Sequence, residues 1–173
     1  MLDVVSRVAD AITLPFTVGG GISSLADAEA VLKAGANKIS TSSAAFRTPG
    51  LVDQLVKALG GQTVTVAIDA ARNSAMPSGY EVYVDGGRTA TGRDAVDWAI
   101  ELDSYGAATI LPTSKSTDGV RTGYDLPLIQ KIHEATSAVV VASGGAGTLE
   151  HFLEAARAGA SVLLAASVFH FNI

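Results

Sequence analysis

The stretch VGGGISSLADAEAVLKAGANKISTSSA (residues 18–44) has a similar, gap-free counterpart 124 positions later, ASGGAGTLEHFLEAARAGASVLLAASV (residues 142–168), and this internal repeat indicates the fold. Each copy is typical of a strand, a diglycine loop, a helix, a turn of small residues and a second strand. The glycines of the loop and the Ala-Gly-Ala triplet fall on their counterparts. We therefore interpret each copy as two consecutive βα units, repeated within one scaffold.

Short apolar runs alternate with amphipathic stretches along the whole chain. The runs are continuously apolar, which is typical of strands covered on both faces in a parallel sheet. This pattern predicts an α/β protein. The predicted strands are residues 16–18, 38–41, 64–68, 109–111, 139–142 and 162–165, and the predicted helices are residues 2–11, 24–34, 49–59, 94–105, 126–135 and 148–158.

The spacing of the repeat predicts the architecture. It equals four βα units of roughly 31 residues, the size of one unit in an eight-unit TIM barrel of about 250 residues. The chain is therefore predicted to be a partial (βα)8 TIM barrel of about six units, corresponding to strands three to eight, with strands one and two expected before Met1. Residues 1–173 form a single predicted domain, and residues 72–93 are predicted to form a hairpin inserted in a βα loop.

The composition of the chain limits the classes of partner, cofactor and location to be expected for it. The chain has 173 residues, 48% of them hydrophobic, and a net charge of −5 without long charge runs, which argues against partners such as nucleic acid or anionic membrane. It contains no cysteine and no histidine pair with metal-ligand spacing, so we expect no metal and no other cofactor. With no apolar run of about 18 residues and no signal-peptide pattern, a cytoplasmic location is expected.

Small polar residues follow several predicted strands, at the barrel end where active sites collect. Glycine lets a ligand approach the backbone, and hydroxyls and helix N-termini favour phosphate oxygens. The alternative is that the glycines only permit tight turns. Because the loops repeat in register, we predict two phosphate cradles, the first formed by Gly20, Gly21, Ser42 and Ser43 and the second by Gly119, Gly144, Gly145, Ala166 and Ser167.

Two aspartates are candidate catalytic residues. Asp69 directly follows an apolar strand, where a poorly solvated carboxylate suits a general acid or base. Its alternative roles are a helix cap or a salt bridge to Arg72. Asp118 lies in the loop after the sixth barrel strand, and its alternative role is an ordinary Asp-Gly turn.

Seven blocks that together cover most of the chain match the pattern of one known family. They are PFTVGGGI (15–22), AGANKIS (34–40), VAIDAAR (66–72), GGRTATG (86–92), DGVRTGYD (118–125), ASGGAGTLEHFLEA (142–155) and ASVFHF (166–171). By these blocks the chain resembles the cyclase subunit of imidazole glycerol phosphate synthase, a family of histidine biosynthesis. That resemblance implies a (βα)8 barrel that joins ammonia from a glutaminase partner to a substrate bearing two phosphates. It also implies two catalytic aspartates, one at the end of the first strand and one that matches Asp69.

Some positions depart from the pattern that the resemblance implies. Ser42-Ser43 stands where the family has Asn-Thr, and Lys115-Ser116 stands where it has a hydrophobic residue and an aspartate. The leading hypothesis is a cyclase-like barrel fragment that binds a bis-phosphorylated substrate but turns over poorly, because the first-strand aspartate has no counterpart. The alternatives are an enzyme completed in trans, by self-association through open barrel edges or by a second chain, and a non-catalytic phosphosugar-binding or assembly protein.

Overall fold

The computed structural model describes residues 1–171. Helices and strands alternate along most of the chain, but two helices follow one another after the second strand and three strands follow one another in the middle. The helices are α1 (Leu2–Ala11), α2 (Leu25–Lys33), α3 (Ser43–Arg47), α4 (Leu51–Leu59), α5 (Ala95–Ser104), α6 (Leu126–Ala135), α7 (Leu149–Arg157) and α8 (Ser167–His170). The strands are β1 (Thr17–Gly19), β2 (Lys38–Thr41), β3 (Val64–Arg72), β4 (Tyr80–Val84), β5 (Thr89–Asp94), β6 (Thr109–Ser114), β7 (Val139–Ala142) and β8 (Val162–Leu163).

Six strands form a parallel sheet in the order β1-β2-β3-β6-β7-β8. This order follows the chain, as in a (βα)8 barrel, and confirms the predicted α/β fold class with six parallel strands. Within residues 1–171, β1 and β8 each pair with a neighbour on one side only. The curled sheet is therefore open between these two strands.

The remaining two strands form a hairpin on the carboxyl end of β3. β4 pairs antiparallel with both β3 and β5, and Asp69 lies opposite Tyr83. This pairing extends β3 to Arg72, four residues beyond the predicted end of the strand at Ile68. The hairpin tip, with Asp85 at φ 59°, lies beside the carboxyl end of β2, where the Asp85 N–H donates to the Ser43 hydroxyl oxygen.

The core lies between the sheet and its surrounding helices. Ile39, Val66 and Ile110 of neighbouring strands are fully buried, as are Leu55 of α4 and Ile132 of α6. Such side chains stabilise the fold by roughly 1.5–3 kcal/mol each relative to exposure. The predicted helices and strands are confirmed, with shifts of a few residues at their ends. They could be predicted because the spacing of apolar residues follows which side of each element faces the core between sheet and helices.

Two short helices, α3 and α8, were missed by the sequence prediction. They have five and four residues and follow β2 and β8 directly. Segments of this length are too short for a helical apolar period to be recognised. As a result Ser43 and Ser167 each begin a short helix, one in each copy of the repeat.

No helix within residues 1–171 is both long and apolar enough to cross a membrane. The same part of the chain holds no group of three or more His, Asp or Glu side chains placed to bind a metal ion.

Candidate active site

The residues of the first predicted cradle line one cavity at the carboxyl ends of β1 and β2. Gly20, Gly21, Ser42 and Ser43 all border it, and its volume is about 530 Å³. This volume exceeds what a phosphate group needs and falls in the range of small-molecule sites. Arg47, at the end of α3, also lines the cavity and brings a guanidinium group to it.

The residues of the second predicted cradle line a separate, smaller cavity of about 100 Å³ at the carboxyl ends of β7 and β8. Here too a guanidinium group is present, because Arg121 borders the cavity. Asp118 also lies in its wall, so the structure places this predicted catalytic residue beside the second cradle. The cradle residues in the lining are Gly119, Gly144, Gly145, Ala166 and Ser167.

The two diglycine loops need glycine for different reasons. Gly20 and Gly21 have φ of 93° and 76°, and a Cβ atom at either position would meet open space. A Cβ atom on Gly145 would lie 2.1 Å from the carbonyl oxygen of Gly123, whose N–H donates to the Gly145 carbonyl at 2.8 Å. In the second loop glycine therefore also permits a close backbone contact, and a side chain at Gly145 would displace the loop 117–123.

Asp69 lies half-buried at the carboxyl half of β3, between Tyr83 on β4 and Thr113 on β6. Burial raises the pKa of its carboxyl group, and the negative charge of Asp118 raises it further. The two candidate carboxylates are therefore close enough to interact, although they are 49 residues apart. A carboxyl group with a raised pKa can hold or release a proton closer to neutral pH, as a general acid or base requires.

Neither alternative role considered for Asp69 is observed. Asp69 lies inside β3 and so caps no helix, and Arg72 forms its ion pair with Asp125 at 3.3 Å. Lys115 instead lies near Asp69 and partly opposes the rise of its pKa. The Lys115 ammonium group lies 3.8 Å from the centroid of the Tyr83 ring, so a cation–π contact holds it above the strand that pairs with Asp69.

A buried hydrogen-bond network supports the loop that carries Asp118. The Asp125 carboxylate accepts from the Tyr80 hydroxyl at 2.7 Å and from the Ser114 hydroxyl at 2.8 Å. It also caps α6 by accepting from the N–H of Leu128, and its side chain is only 2% exposed. Asp125 thus fixes the two ends of the loop 115–124 relative to β6 and the hairpin.

Three functional candidates were missed by the sequence analysis: Arg47, Arg121 and Asp125. A signal existed for Asp125, which directly precedes a predicted helix and so stands at the N-cap position. The two arginines carry no local signal, because an arginine near a helix end or in a loop is ordinary on a protein surface. Only the tertiary structure shows that each one lines a cavity.

Comparisons with known proteins show the family to which the chain is related. The family described as "Histidine biosynthesis protein" matches residues 1–173. The imidazole glycerol phosphate synthase subunit HisF of Pyrobaculum aerophilum is 51% identical over 172 residues, which cover 99% of this chain and 67% of that protein. The protein of the same name from Exiguobacterium sibiricum is 48% identical over 170 residues, 98% of this chain and 67% of that protein.

Proposed function

Because the chain belongs to the histidine biosynthesis protein family, we propose that it is a cyclase of the imidazole glycerol phosphate synthase type. Its substrate would be a small molecule with two phosphates, held at both ends across the carboxyl face of the sheet. The main support for this proposal is that equivalent loops of the internal repeat line two cavities. Each cavity contains the diglycine, a strand-end serine and an arginine.

The chemistry of both cavities suits phosphate. Serine hydroxyls and backbone N–H groups can donate to phosphate oxygens, and glycine lets those oxygens approach the main chain. The guanidinium groups of Arg47 and Arg121 add positive charge and can bind two phosphate oxygens at once. Each cavity thus has a guanidinium group in its lining, and this local positive charge allows a protein of net charge −5 to bind an anionic substrate.

We assign the acid–base chemistry to Asp69, with Asp118 as its neighbour. Asp69 lies between the two cavities along the sheet, because β3 separates β2 from β6 and β7. A substrate bound by its two phosphates would thus present its middle to the Asp69 carboxyl group. By the family resemblance a second aspartate, from the first barrel strand, shares this work, and we expect the 173-residue chain tested alone to turn over slowly.

We expect inorganic phosphate to bind in both cavities. Replacing Ser167 with aspartate would place a negative charge in the second cavity and weaken phosphate binding there by tenfold or more, because one donor is lost and one repulsive charge is added. The measurement is a phosphate titration followed by amide NMR shifts of Gly20 and Gly21 for the first cavity and of Gly144 and Gly145 for the second.

Ser104→Asp provides the matched control, since Ser104 ends α5 outside both cavities and its hydroxyl donates to the Glu101 carbonyl. This variant should bind phosphate like the parent. If phosphate shifts none of the four glycine amides of the parent chain, the cavities are not phosphate sites and the loops are turns only.

We further propose two protein partners for this chain: a second copy of itself and a glutaminase subunit that supplies ammonia. The unpaired edges of β1 and β8 expose main-chain groups that can pair with another strand. Beside β1, apolar side chains of α1 and of the loop that follows it are exposed, with Val4 59% and Leu14 73% accessible. Covering this surface by a second copy would remove both apolar area and free edges from water.

We expect the purified chain to be a dimer or higher oligomer at micromolar concentration, measured by light scattering. Val4→Glu should shift the population towards monomer, because it places a charge in the apolar face beside β1. Ile100→Glu is the control, since Ile100 is 46% exposed on α5, away from both edges, and should leave the mass unchanged. A monodisperse monomer for the parent chain would contradict the self-association.

A further inference from the structure

The tip of the hairpin β4–β5 is tied to the first cradle. Arg47 forms an ion pair with the carboxylate of Asp85, and the backbone N–H of Asp85 donates to the Ser43 hydroxyl oxygen at 2.8 Å. Both Arg47 and Ser43 line the first cavity. The hairpin therefore contacts two side chains of the same cavity, from positions 38 and 42 residues away along the chain.

Asp85 is held in place by its own hairpin. The Thr89 hydroxyl donates to the same carboxylate at 2.9 Å, and Arg88 Nε donates to the Asp85 carbonyl oxygen at 2.8 Å. The hydrogen bond from Thr89, followed by that from Arg47, lowers the pKa of Asp85 below its usual range. At neutral pH an oriented negative charge therefore faces the Arg47 guanidinium group.

Arg47 can exchange its ion-pair partner Asp85 for a bound ligand, because the ion pair is in contact with water. The Arg47 side chain is 55% exposed and that of Asp85 is 29% exposed, and pairs in contact with water contribute little net stability. A phosphate monoester carries up to two negative charges and offers two oxygens to the planar guanidinium group. It can therefore replace a single aspartate carboxylate as the partner of Arg47.

The hydroxyl group of Ser43 can donate a hydrogen bond to the same phosphate monoester. Its oxygen already accepts the Asp85 N–H, so the hydroxyl proton remains free to be donated. A phosphate oxygen in the first cavity could receive that proton while the hairpin tip stays in place. The backbone contact and the ion pair thus have separate roles, since the first orients the serine and the second neutralises the arginine.

We propose that Arg47 is a phosphate-binding residue of the first cavity and that Asp85 is its counter-ion until a phosphate monoester takes that place. This inference rests on the proposed phosphate function of the first cavity and deepens it. The second cavity is built differently, because its arginine, Arg121, stacks over the Phe171 ring at 5.0 Å. In the first cavity, ligand binding is thus coupled to the hairpin that pairs with β3 beside Asp69.

The test is a titration with inorganic phosphate, read from the amide shifts of Gly20 and Gly21. Asp85→Asn should tighten binding roughly threefold to tenfold, because it removes a competing charge, and asparagine tolerates the φ of 59°. Arg47→Met should weaken binding roughly tenfold or more, the usual range for a lost charged hydrogen bond. The double variant should bind like Arg47→Met, since Asp85 acts only through Arg47.

Arg93→Met is the matched control, because Arg93 pairs with Glu101 on the exposed surface and its loss changes the net charge equally. It should leave the affinity of the first cavity unchanged. The inference is overturned if the parent binds phosphate but Arg47→Met binds it equally well, or if Asp85→Asn binds no more tightly than the parent. If the parent shows no shift at Gly20 or Gly21, the proposed phosphate function of this cavity fails first and the inference fails with it.

Discussion

Replacing Asp69 with asparagine is expected to slow cyclisation by roughly 10²- to 10⁴-fold, the usual contribution of a general acid or base. Asparagine keeps the size of the side chain but cannot exchange a proton. The assay follows loss of substrate absorbance with ample ammonia, using the chain together with a second polypeptide that carries two further βα units and the partner aspartate. Without that polypeptide, we expect the parent chain to be slow as well.

Thermal stability shows whether the variant remains folded. Burial and Asp118 raise the pKa of Asp69 in the folded state, so the folded chain binds more protons than the unfolded chain between the two pKa values. The contribution of Asp69 to stability therefore falls as pH rises through this window and stays low at pH 7. Asp69→Asn should thus melt at or above the parent temperature at pH 7, and the difference should vanish below about pH 3, where the carboxyl group is protonated in both states.

Other outcomes would change the proposed assignment. Rapid turnover by the 173-residue chain alone would mean that its active site needs no further aspartate, and Asp118→Asn would then test whether Asp118 supplies the missing group. Phosphate binding without turnover, even with the second polypeptide, would favour a non-catalytic phosphosugar-binding protein. Full activity of Asp69→Asn would remove Asp69 from the mechanism.

Asp125→Ala is expected to lower the free energy of unfolding by roughly 3 kcal/mol. The change leaves the hydroxyl groups of Tyr80 and Ser114 without their acceptor and removes the cap of α6, and each unsatisfied buried group costs about 1–3 kcal/mol. For a chain of this size such a loss lowers Tm by roughly 6–12 °C, measurable by circular dichroism. Burial and the bond to Asp125 also raise the pKa of Tyr80, so its hydroxyl remains a donor at neutral pH.

Asp53→Ala is the control for that effect. Asp53 forms an exposed ion pair with Lys57 one helical turn away, at 2.8 Å. Exposed pairs of this kind contribute about 0.3–0.5 kcal/mol, so Tm should change by only a degree or two. If Asp125→Ala and Asp53→Ala lowered Tm by the same amount, the hydrogen-bond network around Asp125 would not stabilise the loop 115–124.

The order of helices and strands, the parallel α/β class and the position of the diglycine loops follow from the amino-acid sequence alone. These features depend on local rules, since apolar periodicity follows burial in a layered fold and glycine marks positions with positive φ or close backbone contact. The internal repeat added long-range information, because two equivalent copies imply equivalent places in a ring. Hence the fold class could be predicted from local patterns and the repeat, whereas the phosphate-binding role of the diglycine loops stays a prediction.

Which charged side chains lie at those loops depends on the three-dimensional packing of the chain. Arg47 and Arg121 line the two cavities, and Asp85 reaches Arg47 through a hairpin whose pairing also lengthens β3. Such contacts join residues far apart in the chain, and their geometry depends on strand register and on how each loop packs. No local pattern carries that information, because charged residues at loop tips and helix ends look alike in a sequence whether they face a cavity or the solvent.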